Sequence, residues 1–574
     1  VLLNPDLAAA ISSGNSEAVS QVLRSTPEQI KASDPQGRTA LHLAAMSGKI
    51  ELVRTVIGFG PTVDALDQMG RTPLMLGCVS GSDEVVRALV VSGADINARD
   101  ASGLNPLMIA ALSAKPTVVT TLLSNSKTDR AATTPDGRTA LFCAATVKLP
   151  DWIPLAETYA ALMPRGENGR ALQPPDWDVI AMGMKSMQGE LKEPDDAEKA
   201  DRATIGRALV EAGLDVNTVA KDGTTPLHYA VMSRSVDLAS MLMARGAKDV
   251  KDKLGHTCVY NASALGTTET VKLLLDRGGD ASAANDAGWT PVMAASLLGN
   301  LETVKLLASR GADVATVNKV KQSALHVAAF RGQEPLVNYL LEKGLPVDAV
   351  SDLGQSPLSL ACRGGSVKVI KLLQSRGAKL TTTTGDNSPL IMAVAAGKAE
   401  VVAYLLTQGV DIEQRSRTGL TPLLIAVVSG DEAMVDVLKK AGANTTTVTP
   451  DGRGAVHLAA ISNNLAMMKK LASAGLNLDA PMPTNGLTAL HIAAGNGSLD
   501  LIDLLTGHGV NVNAAAAGGI TPLHSAVQNR QIEAVRRLVK AGANINKPDD
   551  AGNTPMSIAS REGQWAVLAA LQGK

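Results

Sequence analysis

An all-α repeat solenoid with one helical insertion is the fold class the sequence predicts, and three observations predict it. The pattern Gly-Arg-Thr-Ala-Leu-His, met at residues 37–42, returns through the 574 residues at steps of 32 to 34. Each return is followed by two apolar stretches too short to persist as isolated helices, because helices below ~12–15 residues are marginal in water. Only 12 residues are aromatic (4 Trp, 5 Tyr, 3 Phe). A core built from Ala, Leu, Val, Ile and Met suits thin helices in close contact. Short helices that cannot stand alone must be stabilised by stacking on neighbours.

The threonine of this pattern serves as an anchor. Its equivalents are Thr39, Thr72, Asn105, Thr139, Thr225, Thr257, Thr290, Ser323, Ser356, Ser388, Thr421, Gly454, Thr488, Thr521 and Thr554. A glycine stands two residues before nearly every anchor, the exceptions being Lys321 and Asp386. It supplies the positive φ of a tight turn. Thr or Ser at the anchor caps a helix N-terminus by accepting an orphan N–H. The proline that often follows suits the first helical position, where no N–H is needed. "LHLAAMSG" (41–48) then reads as a first helix. "IELVRTVI" (50–57) reads as a second, with Leu52, Val53, Val56 and Ile57 on one face.

With these positions in hand, "DGTTPLHYAVMSRSVDLASMLMARGA" (222–247), "GLTALHIAAGNGSLDLIDLLTGHG" (486–509) and "GITPLHSAVQNRQIEAVRRLVKAGANIN" (519–546) each resemble an ankyrin repeat. About 15 units are recognisable, and "AAAISSGNSEAVSQVLR" (8–24) resembles a degenerate unit ahead of them. The resemblance implies pairs of antiparallel helices joined by β-hairpin fingers. His42, His228, His326, His457, His491 and His524 each stand three residues after an anchor. A residue that recurs in phase with the fold is read as architecture, whereas a catalytic histidine would occur once. The family resemblance implies that the imidazole bonds backbone and the capping hydroxyl. His256 and His508 fall off-phase, with no plausible ligand partner nearby in sequence.

One step breaks the rhythm. From Thr139 to Thr225 is 86 residues, 53 more than a unit. The organisation expected is therefore N-terminal repeats over 1–149, an insertion within one repeat over 150–202, and C-terminal repeats over 203–574, with a degenerate extra repeat as the alternative for the middle segment. Trp177, Ile180, Met184, Met187 and Leu191 fall on one helical stripe inside it. Two explanations of the stripe stand: internal packing on the solenoid, or a helix that docks a partner, for which Trp and Met are well suited. A second departure is a run from Leu353 to Gly385 that carries Arg363, Lys368, Lys371, Arg376 and Lys379 and no acid. It is read as a solvated face or as a basic patch for an acidic partner.

The 54 basic and 55 acidic residues leave a net charge of −1. No global field gathers nucleic acid or anionic lipid, so no specific nucleic-acid partner is expected. No apolar run reaches the ~18–20 residues of a membrane span, and no membrane insertion is expected. The cysteines Cys78, Cys143, Cys258 and Cys362 lie far apart with no CxxC pair. That points to neither zinc nor a disulfide framework, but to a reducing, intracellular and cytoplasmic setting. Phosphate-loop, dinucleotide, metalloprotease, nucleophile-elbow and EF-hand patterns are missing. The expectation is a non-enzymatic protein-interaction scaffold or adaptor, without cofactor or metal, whose partners are proteins. The alternatives are a targeting module from a larger enzyme or channel, or a secreted effector.

Overall fold

The computed structural model describes residues 2–146, 195–265, 267–383 and 385–573. The stripe of Trp177, Ile180, Met184, Met187 and Leu191 lies outside them. The described chain is a succession of helix pairs, each preceded by a finger of turns. The pair expected from the opening repeat forms Ala40–Met46 and Ile50–Ile57. Leu52, Val53 and Val56 are buried, while Ile57 stays partly exposed at the C-terminal end of its helix.

The structure divides into two compact units, Val1–Lys319 and Val320–Lys574. Within the first, consecutive first helices lie side by side, from Ala40–Met46 and Pro73–Ser80 onward to Pro291–Leu298. Second helices do the same behind them. Val320–Lys574 repeats the arrangement from Ala324–Phe330 to Pro555–Arg561. Close approach demands small residues at the contacts. A Cβ on Gly364 would stand 1.9 Å from the Phe330 carbonyl oxygen, so no larger residue fits where those two first helices meet.

The fingers are tight turns rather than long ladders. In the first, the Asp34 N–H donates to the Arg38 carbonyl, and the Asp34 carboxylate accepts from the N–H groups of Gln36 and Arg38. A backbone bond joins several fingers to the next, as in Gln68 N–H to Gln36 O and Ala101 N–H to Met69 O, while Pro135 and Pro450 stand at the donor position of two others. The turn glycine takes positive φ, +79° at Gly37. Where the glycine is missing, Lys321 is held at +57°, an unfavourable position for a side chain with a Cβ. At the other exception, Gly385–Asn387 form a 3-10 turn instead.

Around the irregular step, Ala140–Ala145 packs against Asp196–Glu211 as a first helix packs on a second. The second of these begins at Asp196, capped by Asp195, so its first two turns lie inside the segment 150–202. The reason is Arg202. Its side chain is fully buried, bonded to Glu198 at 2.7 Å and donating to the Ala144 carbonyl at 3.1 Å. A buried guanidinium needs such partners, and the turn carrying Glu198 supplies one of them.

Candidate functional site: the histidine ladder and the first-helix face

The six recurring histidines share one geometry. Nδ1 of His42, His228, His326, His457, His491 and His524 lies 3.0–3.2 Å from the backbone N of the anchor in its own repeat. Where the anchor has a hydroxyl, that oxygen lies 2.8–3.0 Å from the same nitrogen. Gly454 lacks one, and His457 keeps only the backbone bond. A nitrogen facing an N–H must accept, so the ring proton sits on Nε2. Nε2 then donates into the next repeat, to the carbonyl just before its anchor: Arg71, His256, Gln355, Leu487, Ile520 and Asn553 at 2.9–3.3 Å. His326 also reaches the Ala349 carbonyl at 3.1 Å.

Each ring is buried, and both nitrogens are spent on backbone. Burial away from water pushes His42, His228, His457 and His491 below the usual imidazole range, and His326 down to about 4. Two off-phase histidines differ. His256 holds the Asp252 carboxylate at 3.2 Å and stacks on Tyr260, so it does have a partner four residues back. The side chain of the exposed His508 bonds the Leu504 carbonyl of its own helix. Among the described residues, no group of three His, Cys, Asp or Glu could hold a metal ion. All four cysteines are free and buried. Burial raises every one of these thiols, Cys143 to about 12, which keeps them protonated.

The basic residues of 353–385 are not brought together. Arg363 sits in the last turn of the first helix Pro357–Gly364. Lys368 and Lys371 lie on the second helix Val367–Ser375, after the turn that reverses the chain. Lys371 covers the Tyr404 ring, with 5.3 Å from Nζ to the centroid. Arg376 caps that helix and donates to Asn338 at 2.7 Å, and Lys379 opens the following finger. In the repeats on either side, Arg331 caps the end of the first helix Ala324–Phe330, and Lys398 caps the start of the second helix Ala399–Thr407 with its stem beside Gly365. Sequence reasoning passed over those two because they belong to other repeats. Their signal was position, seven to ten residues after the anchor.

The same stretch of the first helix carries exposed aliphatic residues. Met46 and Val79 stand seven residues after their anchors in Val1–Lys319, as do Val428 and Ile461 in Val320–Lys574. These side chains are solvent-exposed although their helices are otherwise buried. Finger residues add Leu66 and Met69 to the first group.

The geometry is that of a stacked helix-pair repeat protein, with its structural positions fixed and its first-helix face free to vary. Sequence profiles described as ankyrin repeats match residues 7–100, 197–243 and, in overlapping segments, 245–573. The chain belongs to the ankyrin-repeat family, whose repeats are a protein–protein interaction module. It is 46% identical over 52 residues to the ankyrin repeat and LEM domain-containing protein 1 homolog of Caenorhabditis elegans. It is 40% identical over 81 residues to the ankyrin repeat, SAM and basic leucine zipper domain-containing protein 1 of Equus caballus. Over 94 residues it is 32% identical to the protein phosphatase 1 regulatory subunit 27 of Mus musculus. These matches cover 9%, 13% and 16% of this chain, and 7%, 17% and 60% of the relatives' own lengths. Among solved structures, the ankyrin repeat domain of Bcl-3 aligns over 44% of this chain and 99% of that one, at 26% identity and a TM-score of 0.32. No helix among the described residues is long and apolar enough to cross a membrane.

Proposed function

We propose that this chain is a non-enzymatic scaffold or adaptor that holds other proteins on the first-helix face of its repeats. The observation that carries this is the set of exposed aliphatic side chains, Met46, Val79, Val428 and Ile461, at one position of four first helices whose other apolar residues are buried or half-buried. Apolar side chains left in water at a recurrent position suit a surface that a partner covers. The absence of catalysis is part of the same proposal: the recurring histidines have no free nitrogen, and the thiols are buried. The setting is taken as intracellular, the partners as proteins rather than nucleic acid.

A second, narrower reading is a regulatory subunit that holds an enzyme. The resemblance to the mouse phosphatase regulatory subunit favours it, since that match spans 60% of the relative. We further propose that 150–202 interrupts a single repeat, as the packing of Ala140–Ala145 on Asp196–Glu211 supports, and that its Trp177–Leu191 stripe adds a docking element.

Cross-linking in native cells, followed by purification of this chain and mapping of the linked residues, tests the scaffold reading. Links to one or a few proteins through first helices and fingers are expected. Recovery of the chain without stoichiometric partners, or with turnover of a small molecule, would sink it.

A further inference from the structure

We propose that the repeat anchored at Thr257 is a built-in joint of Val1–Lys319. It is tied to its predecessor along the fingers and first helices, and to its successor along the second helices. The seam between Val236–Ala244 and Thr268–Asp276 therefore opens locally ahead of the seam that follows it.

Towards the predecessor the ties lie on the finger side. His228 Nε2 donates to the His256 carbonyl at 3.3 Å. Asn217, eight residues before its anchor, accepts the Lys248 N–H at 2.9 Å and donates to the Gly246 carbonyl at 3.0 Å. The Lys253 N–H donates to the Asp222 carbonyl at 3.0 Å, and Arg234 reaches the carbonyl of Leu265, at the end of the first helix, at 3.2 Å. The second helices of these two repeats pack together behind this line.

Towards the successor the arrangement is reversed. Eight residues before the anchor stands Asp249, the position at which Asp64, Asn97 and Asn217 each accept an N–H of the following repeat. Its carboxylate turns instead into its own repeat and accepts the N–H groups of Cys258 and Val259. Three residues after the anchor, Tyr260 holds the place of the bridging imidazole. On this side the fingers keep the Asp286 N–H to the Leu254 carbonyl at 3.1 Å, and the exposed Lys251 reaches the Ala284 carbonyl at 2.7 Å. The second helices, by contrast, are tied through side chains. Thr268 Oγ1 lies 2.7 Å from Thr303 Oγ1 and accepts from Asn300 Nδ2 at 3.2 Å, while Arg310 pairs with Asp276 at 2.7 Å.

One threonine decides which seam yields. Thr270 and Thr303 are 1% and 0% exposed, at the position where Leu52, Val85, Val118 and Leu238 are buried in preceding repeats. Thr303 finds its hydroxyl partner in Thr268, the first residue of the second helix before it. The first residue of the second helix before Thr270 is Val236, which has no polar side-chain atom. Thr270 Oγ1 is buried with no hydrogen-bond partner among the described residues. A stranded buried hydroxyl costs about tenfold or more in local stability, and parting the seam lets water satisfy it. The finger-side bonds hold while it parts, so the buried imidazole junction of His228 stays intact. A nine-residue helix that loses a neighbour is marginal in water, so its amides report the opening.

Hydrogen exchange of the full chain, read by mass spectrometry at pH 7, tests this. The amides of Thr268–Asp276 should exchange at least about tenfold faster than those of Leu301–Ser309. Thr270→Val removes the stranded hydroxyl, and Val236→Thr supplies it with the partner that Thr268 gives Thr303. Each should slow exchange in Thr268–Asp276 about tenfold and leave Asp83–Val91 unchanged. Both variants are expected to fold, with circular dichroism matching the parent, since one makes a core position apolar and the other changes a half-buried residue. Equal exchange in Thr268–Asp276 and Leu301–Ser309 overturns the joint, as does a rate that neither variant slows. Slowing of the same size in Asp83–Val91 overturns it too, because that marks a general gain in stability rather than the closing of one seam.

Discussion

Acid should loosen the repeats between pH 6.5 and 4, and His326→Ala should remove a defined share of that effect. Nδ1 of His326 accepts the Ser323 N–H at 3.2 Å, and Nε2 donates to the Gln355 carbonyl at 3.3 Å and the Ala349 carbonyl at 3.1 Å. A second proton on Nδ1 would face another donor, so the folded protein resists it. Burial lowers this imidazole from 6.5 to about 4. The unfolded chain therefore binds the extra proton first. Stability is fully present above pH 6.5 and is lost as pH falls through the window down to about 4. At 1.36 kcal/mol per pH unit the whole loss is about 3 kcal/mol, and integration to pH 5 gives about 2 kcal/mol. At pH 7, His326→Ala should cost about 1–3 kcal/mol, the scale of buried polar groups left unmade. The gap between parent and variant should then narrow by about 2 kcal/mol at pH 5. Hydrogen exchange of the amides in Ala324–Phe330, measured at both pH values, reads this locally. Parallel pH profiles for parent and variant would refute the reasoning, as would a variant at pH 7 with undiminished protection. The salt-bridged carboxylates Asp34, Asp67 and Asp252, all lowered below 3.8, lose their contribution only in more acid solution.

Four further outcomes are expected. Lys321→Gly should stabilise Val320–Lys574 by about 0.5–1 kcal/mol in urea unfolding, because it relieves a positive φ at the cost of only an exposed ion pair with Asp352; unchanged or lower stability would count against strain at that turn. Arg202→Ala should destabilise by about 3 kcal/mol, since it strands the Glu198 carboxylate and the Ala144 carbonyl; a neutral effect in thermal melts would show that those contacts contribute little. The four cysteines should resist a thiol-specific chromogenic reagent in the native protein and react together on unfolding, and a rapidly labelled native thiol would contradict their burial. Deleting 147–194 with a short Gly/Ser join should leave circular dichroism and melting nearly unchanged yet remove at least one native partner, whereas a large loss of stability would make the segment structural.

How much was legible depended on whether a position repeats. Thr39, Gly37 and His42 recur in phase, so their roles could be separated from chance before any coordinates. Helix pairs, turns and buried thiols followed. The proposed docking face was less visible, for a physical reason. Arg331, Arg363 and Lys398 lie in three successive repeats that stacking sets side by side, so a window along the chain groups Arg363 with Lys368 instead. Two residues of turn between helices carry Lys368 and Lys371 to the other side of the pair. The start of Asp196–Glu211 was misplaced for a related reason. Its periodicity is interrupted by Arg202, a charged residue that reads as surface and is buried only because Glu198 and two carbonyls receive it.

The division of labour along one repeat also bears on why this chain is read as a binder. At the third residue after the anchor, an imidazole uses both nitrogens to join its own turn to the next repeat. Recruiting it as a base would break that junction, with a cost of order 1–3 kcal/mol in unmade bonds. Four residues further on, the side chain leaves the core in Met46, Val79, Val428 and Ile461 but stays in it in Leu297 and Phe330. Variation at the exposed members, Met46, Val79, Val428 and Ile461, removes no buried side chain from the stack. A polymer of this kind can therefore change what it recognises without changing how it stands, and the chemistry it offers a partner is written in the residues its own fold does not need.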